Sequence, residues 1–298
     1  MRRALAAFIV LTAIFSAACR GDSGDADGKV GVVAAFYPVA FAAERVGGKR
    51  VDVTNLTPVG AEPHDLELAP DDLDGLLNAR AAFVLGGDFQ PAVEDAADRR
   101  DGTTVELLPK VLDPDDERAA DDPHVWLDPV LMARLVAEVQ RGLAAGDPKG
   151  AGTYRRNARE LQDELAALDT RYRERLTGCS RDLLVTSHES FGHLAARYGL
   201  RQEGVAGLSP DAEPDPARLG ELARVAREQG VTTVFTEEAV SPRIAETVAR
   251  EAGGLRTEVL SPLESLTGKE RDAGADYFTI METNLDKIVT ALGCPLRP

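Results

Sequence analysis

Histidine is scarce in this chain, with four among 298 residues, and cysteine scarcer still, with three. Those shortages and several missing motifs remove whole classes of function. After the N-terminus there is no basic stretch with interleaved aromatics, and 50 acidic against 34 basic residues leave a net charge of -16, which excludes nucleic acid as a partner. No glycine-rich phosphate loop of the G-x-x-x-x-G-K-[ST] kind is present, so the chain offers no P-loop nucleotide site. No C-x-x-C pair offers thiolates to a metal, and no H-E-x-x-H helix marks a zinc protease. The one apolar run near the start, Ala4 to Phe15, is short of the roughly 20 residues a membrane-spanning helix needs.

What that run does resemble is an export signal: Met1-Arg2-Arg3, the apolar segment, then Ser16-Ala17-Ala18-Cys19. A cysteine directly after small residues is a candidate site of lipid attachment, so residues 1–19 read as a signal peptide with a lipobox and 20–28, all small or charged, as a flexible tether. The expected location is extracytoplasmic and lipid-anchored to the cell membrane, with a secreted or periplasmic protein as the alternative. With Cys19 set aside, Cys179 and Cys294 remain, and an even remainder in an oxidising compartment predicts a disulfide that ties down the last helix.

Apolar, β-rich runs at Val30–Phe36, Val51–Leu56, Ala81–Leu85 and Val105–Leu107 alternate with helical patterns such as Val39–Val46 and Pro70–Ala79. A second series follows at Asp182–Thr186, Leu200–Val205, Val231–Phe235 and Thr257–Leu260, with a helix over Pro216–Gln229. The rhythm predicts an α/β protein of two lobes, each with a parallel-type sheet flanked by helices. Between them Tyr154, Ala158, Leu161, Leu165, Leu168, Tyr172 and Leu176 recur at spacings of three and four, one apolar stripe on one long helix. The expected division is an N-terminal lobe over 29–148, a linker helix over 149–178 and a C-terminal lobe over 179–298.

Three of the four histidines share a context. Glu62-Pro63-His64 and Asp122-Pro123-His124 repeat one tripeptide pattern, and His188 follows the strand run Leu183-Leu184-Val185-Thr186. Proline fixes the backbone ahead of the first two rings, and an acidic neighbour stands ready to accept the second ring N–H. In open α/β sheets ligands collect at the carboxyl ends of strands, where His64, His188 and Glu264 all fall. Three imidazoles and one carboxylate form a tetrahedral N3O set suited to Zn²⁺, whereas manganese prefers more oxygen. Glu62, Asp122 and Glu237 are the candidates to orient the rings; Glu238 stands beside the last. His193, five residues after His188, points to another helix face and is expected to pack or lie at the surface.

Several stretches together resemble the metal-binding lipoproteins of ABC importers, the zinc and manganese solute-binding proteins. They are AAFYPVAFAAERVGG, TPVGAEPHDLELAPDDL, DPHVWLDP, TSHESFGHLAARYGL, GLSPDAEPDPARL, VLSPLESLTG and DYFTIMETNLDKI, in the family's order over nearly all of the chain after the signal. The resemblance implies two lobes joined by a long helix with the metal between them. It places the family's ligands on His64, His124, His188 and Glu264, and histidine at 188 favours the zinc branch. It also implies a monomeric receptor, not an enzyme, whose partners are an ABC permease and a separate ATPase subunit. Where many zinc members carry a histidine-rich loop, this chain has the acidic segment Asp113–Asp122. Other readings of the same residues are a secreted zinc-dependent hydrolase using Glu264 or Glu237 as base, a manganese-type receptor, or a metal-dependent adhesin.

Overall fold

The computed structural model describes residues 28–113, 122–210, 216–237 and 242–295. Cys19, Glu238 and most of the acidic segment Asp113–Asp122 lie outside the described residues. The first lobe contains β1 (Val30–Ala34), α1 (Tyr37–Gly47), β2 (Val51–Asn55), α2 (Pro70–Asn78), β3 (Ala81–Val84), α3 (Pro91–Ala97), β4 (Thr103–Glu106), α4 (Leu108–Val111) and α5 (Pro129–Gly146). After α6 (Ala151–Arg175) come β5 (Leu183–Thr186), α7 (Gly192–Tyr198), β6 (Arg201–Gly204), α8 (Pro216–Glu228), β7 (Thr233–Thr236), α9 (Arg243–Glu251), β8 (Arg256–Val259), α10 (Gly268–Asp272) and α11 (Tyr277–Leu292).

The expected α/β class and the two parallel sheets are what the structure has. One sheet runs β2-β1-β3-β4 and the other β6-β5-β7-β8, all pairs parallel, so the two lobes repeat one topology. The interior strands β3, β5 and β7 are buried along their whole length, as strands covered on both faces by helices must be. Edge strand β2 instead exposes every second residue. Proline opens α1, α2, α3 and α5, where its missing N–H removes no helical hydrogen bond. Asp128 caps α5 by accepting from the N–H groups of Val130 and Leu131. Gly199 and Gly293 end α7 and α11 in the left-handed conformation that a side chain resists.

Helix α6 has 25 residues and so runs about 37 Å. Its stripe of Tyr154, Ala158, Leu161, Leu165, Leu168 and Tyr172 is buried in one hydrophobic core that is continuous from the first sheet through α5 to α11. A smaller core, with Leu183, Val185, Leu222, Val234 and Val248, sits inside the second lobe. The long helix is therefore a shared wall more than a tether. Its first half bonds α1 and α5, through Asn157 Nδ2 to Val46 O (3.0 Å) and Gln162 Nε2 to Ala133 O (3.0 Å). Its second half bonds α11, through the Tyr172 hydroxyl to Met281 O (2.7 Å) and an ion pair of Arg171 with Glu282 (2.6 Å). Among the described residues no helix is long and apolar enough to cross a membrane.

Cys179, just past α6, is bonded to Cys294, just past α11, across a sequence separation of 115. Closing so long a loop stabilises the fold by on the order of 4 kcal/mol in the chain-entropy account. The double variant Cys179→Ser, Cys294→Ser should lose stability of that order in denaturant unfolding, and the parent should show neither thiol free when labelled unfolded without reductant. Quantitative labelling of both cysteines would refute the bridge.

Candidate metal centre

The site lies where the carboxyl ends of both sheets face each other. His64 sits in the long connection from β2 to α2. His124 leads into a 3₁₀ turn, Val125–Leu127, ahead of α5. His188 follows β5 by two residues, and Glu264 follows β8 by five. One imidazole nitrogen from each histidine and one oxygen of Glu264 fall within 4.8 Å of one another.

The spacing is informative in detail. Glu264 Oε1 is 3.4 Å from His124 Nε2, 3.4 Å from His188 Nε2 and 3.5 Å from His64 Nε2. The Nε2 atoms of His124 and His188 are 3.3 Å apart. A tetrahedron with bonds of about 2.0 to 2.1 Å has six edges of about 3.3 to 3.4 Å; four of the separations here match that length, and the two between His64 and the other imidazoles lie within 4.8 Å. His64 Nε2 and Glu264 Oε1 are buried without a hydrogen-bond partner, a cost that a cation between them would remove. His124 and His188 are fully enclosed, while the His64 side chain retains 11% exposure and marks the solvent side of the cluster.

Carboxylates set the rings. Asp122 Oδ1 accepts the His124 backbone N–H (3.0 Å) and lies 2.7 Å from His124 Nδ1, which turns Nε2 toward Glu264. Glu237, at the end of β7, accepts the His188 backbone N–H (3.2 Å) through one oxygen and places the other 2.7 Å from His188 Nδ1, in ion-pair contact with a bent hydrogen-bond geometry. Glu62 differs from the expectation. It accepts the His64 backbone N–H (3.2 Å), but its ring contact is with Nε2, at 3.9 Å, the nitrogen that faces Glu264. Phe89 packs edge-on to His64, with centroids 4.5 Å apart, and Trp126 lies 5.2 Å from His124, so aromatic walls fix those two rings.

Contacts between the lobes close the cluster. Trp126 Nε1 donates to Pro262 O (2.8 Å), Gly60 N to Leu266 O (2.9 Å), and Arg197 pairs with the helix-capping Asp128 (2.7 Å). His193, expected at the surface or in packing, has its Nε2 2.9 Å from Asp122 O and so braces the segment that carries His124. Sequence reasoning passed over Trp126 and Asn284; the motifs DPHVWLDP and METNLDKI contain them, but no local pattern announces contacts across more than 20 residues.

Charge in the cluster is strongly coupled. Burial alone would depress the His188 imidazolium, but Glu237 and Glu264 outweigh it and push the group up to about 10. Burial likewise opposes charge on His124, and Asp122 and Glu264 outweigh it, raising that group too. Burial would raise Glu264, yet His124, His188 and His64 hold it well below the usual carboxylate range.

The family described as zinc-uptake complex component A, periplasmic, matches residues 32–291. The zinc-binding lipoprotein AdcA of Streptococcus pneumoniae is 35% identical over 293 residues, covering 92% of this chain and 58% of that protein. The chain thus spans little more than half the length of that relative. The high-affinity zinc uptake system protein ZnuA of Bacillus subtilis is 32% identical over 305 residues, covering 96% of this chain and 95% of that one. The crystal structure of the Zn(II)-bound ZnuA-like domain of AdcA from Streptococcus pneumoniae matches with a TM-score of 0.76 at 34% identity, over 89% of this chain and 99% of that domain.

A cation entering the cluster must displace the protons that these shifts hold on the imidazoles. The metal-free site carries more protons than the loaded one, so affinity should rise with pH from about 6.5 and go on rising toward the raised value of about 10 for His188. Calorimetry of zinc binding at pH 7 in buffers of different ionisation enthalpy should reveal proton release. Heats independent of the buffer would contradict it.

Proposed function

We propose a function on one premise: the chain belongs to the family of periplasmic zinc-uptake components A. It is the receptor of a zinc importer. His64, His124, His188 and Glu264 hold Zn²⁺ between the two lobes, and Asp122 and Glu237 orient the rings of His124 and His188. The chain delivers the ion to an ABC-type membrane permease powered by a separate ATPase subunit. Its place is outside the cytoplasm, anchored by lipid on Cys19 through the tether 20–28, with lobes over 29–148 and 179–298 and the linker helix over 149–178 between them.

The observation that carries this reading is the convergence of four donors from both lobes, with one Glu264 oxygen 3.4 to 3.5 Å from three imidazole nitrogens. Two of them, His64 and His124, come from the first lobe and two from the second, so holding the ion and holding the lobes together are one act. A catalytic zinc keeps a position open for water, whereas here Glu264 takes the fourth corner. That closure suits carriage better than hydrolysis. The names of the relatives, a zinc-binding lipoprotein and a high-affinity zinc uptake protein, point the same way.

Alanine at His64, His124 or His188 should each weaken zinc binding in competition with a chelator; parent-like affinity in all three variants would remove the assignment. Glu264→Ala should weaken binding while the three histidines still hold the ion. Glu237→Ala should do less, within the roughly 10 to 100-fold typical of a group that orients a ligand. A greater loss at Glu237 than at Glu264 would reverse their roles.

A further inference from the structure

The backbone just ahead of Glu264 is pinned at four polar groups: the Ser261 N–H and carbonyl, the Pro262 carbonyl and the Leu263 N–H. Asn284, on α11 and fully buried, donates from Nδ2 to Ser261 O (2.7 Å) and accepts the Ser261 N–H at Oδ1 (3.1 Å), a closed pair that sets its amide orientation. Trp126 Nε1 takes Pro262 O, and the Ser261 hydroxyl accepts the Leu263 N–H (3.3 Å). Leu263, buried completely, has φ of 57°, the left-handed region that a leucine adopts only when its surroundings impose it. The product of this clamp is that a single oxygen of Glu264 faces all three imidazoles.

We infer that Asn284 is a specificity-determining positioning residue: by clamping Ser261 it keeps the Glu264 backbone from withdrawing, which holds the shell to a size that favours zinc over manganese. The inference rests on the receptor reading above. Zinc is content with four ligands in a tetrahedron, whereas manganese seeks a larger, oxygen-rich shell. To supply a second oxygen or admit water, Glu264 must turn or withdraw. The carboxylate can turn about its own side-chain torsions, but withdrawal shifts the Glu264 backbone and requires Leu263 to leave a conformation that Asn284, Trp126 and Ser261 together enforce. Loosening the clamp removes the penalty on a larger shell and with it the advantage of zinc.

The test compares the parent with Asn284→Asp, which keeps the size and the acceptor but loses the donor to Ser261 O, and with Asn284→Ser, whose shorter side chain cannot span both Ser261 groups and which decides the matter should the first fail to fold. Zinc and manganese affinities are measured by chelator competition on each full chain, and the cobalt(II) form is examined by visible absorption, whose intense bands mark four-coordination. Asn284→Asp should weaken zinc by roughly 10 to 100-fold and manganese by less than about threefold, with loss of the intense cobalt bands, and Asn284→Ser should move the same way. Equal weakening of both metals would mean a merely structural role, and an unchanged ratio or cobalt spectrum in a folded variant would overturn the inference. A parent that binds no zinc would count against the receptor reading itself, a result distinct from a zinc-binding parent whose variants keep its selectivity.

Discussion

One carboxylate oxygen stands between three imidazole nitrogens at 3.4 to 3.5 Å, almost wholly out of water, and the rest of the molecule is arranged to tolerate that. Polar donors converging in a buried space are unfavourable unless they are hydrogen-bonded, protonated or bridged by a cation. Here the outer nitrogens of His124 and His188 meet Asp122 and Glu237, which leaves the inner nitrogens with nothing but one another and Glu264. The raised imidazoles and the depressed carboxylate express the same frustration in protons. A divalent cation resolves it better than protons can, because one charge centre serves all four atoms at once.

The fold supplies the rigidity that such a cluster requires. His188 follows β5 by two residues and His124 leads into the turn before α5, so a sheet and a capped helix fix those two backbones, while His64 and Glu264 sit in longer connections that meet through Gly60 N and Leu266 O. The continuous core through α5, α6 and α11 makes the lobes share a wall. Contacts of Trp126 with Pro262 and of Tyr277 with Trp126 O (2.7 Å) then link that wall to the loop bearing Glu264. Motion that admits or releases an ion must therefore break a small set of contacts near the site, since the buried stripe of α6 resists bending along its length.

Much of this was legible in the residues themselves. All eight strand runs appear within a few residues of their expected positions, the interior β3, β5 and β7 because they are short, wholly buried and mostly apolar segments. The apolar stripe from Tyr154 to Tyr172 marked the long helix equally well. For the site, the paired tripeptides and the strand-end rule singled out residues that the structure gathers within 4.8 Å. What the residues did not disclose is everything carried by contacts between distant segments. Glu62 and Asp122 look alike in sequence yet meet different ring nitrogens. Asn284 reads as an ordinary polar helix position until the Ser261 loop folds against it.

The central claim is the composition and shape of the shell around the ion. X-ray absorption at the zinc edge of the loaded protein reports it directly. The account predicts a four-coordinate shell of three imidazole nitrogens and one oxygen at about 2.0 to 2.1 Å. A five- or six-coordinate shell, a sulfur ligand, or fewer than three imidazoles would contradict it.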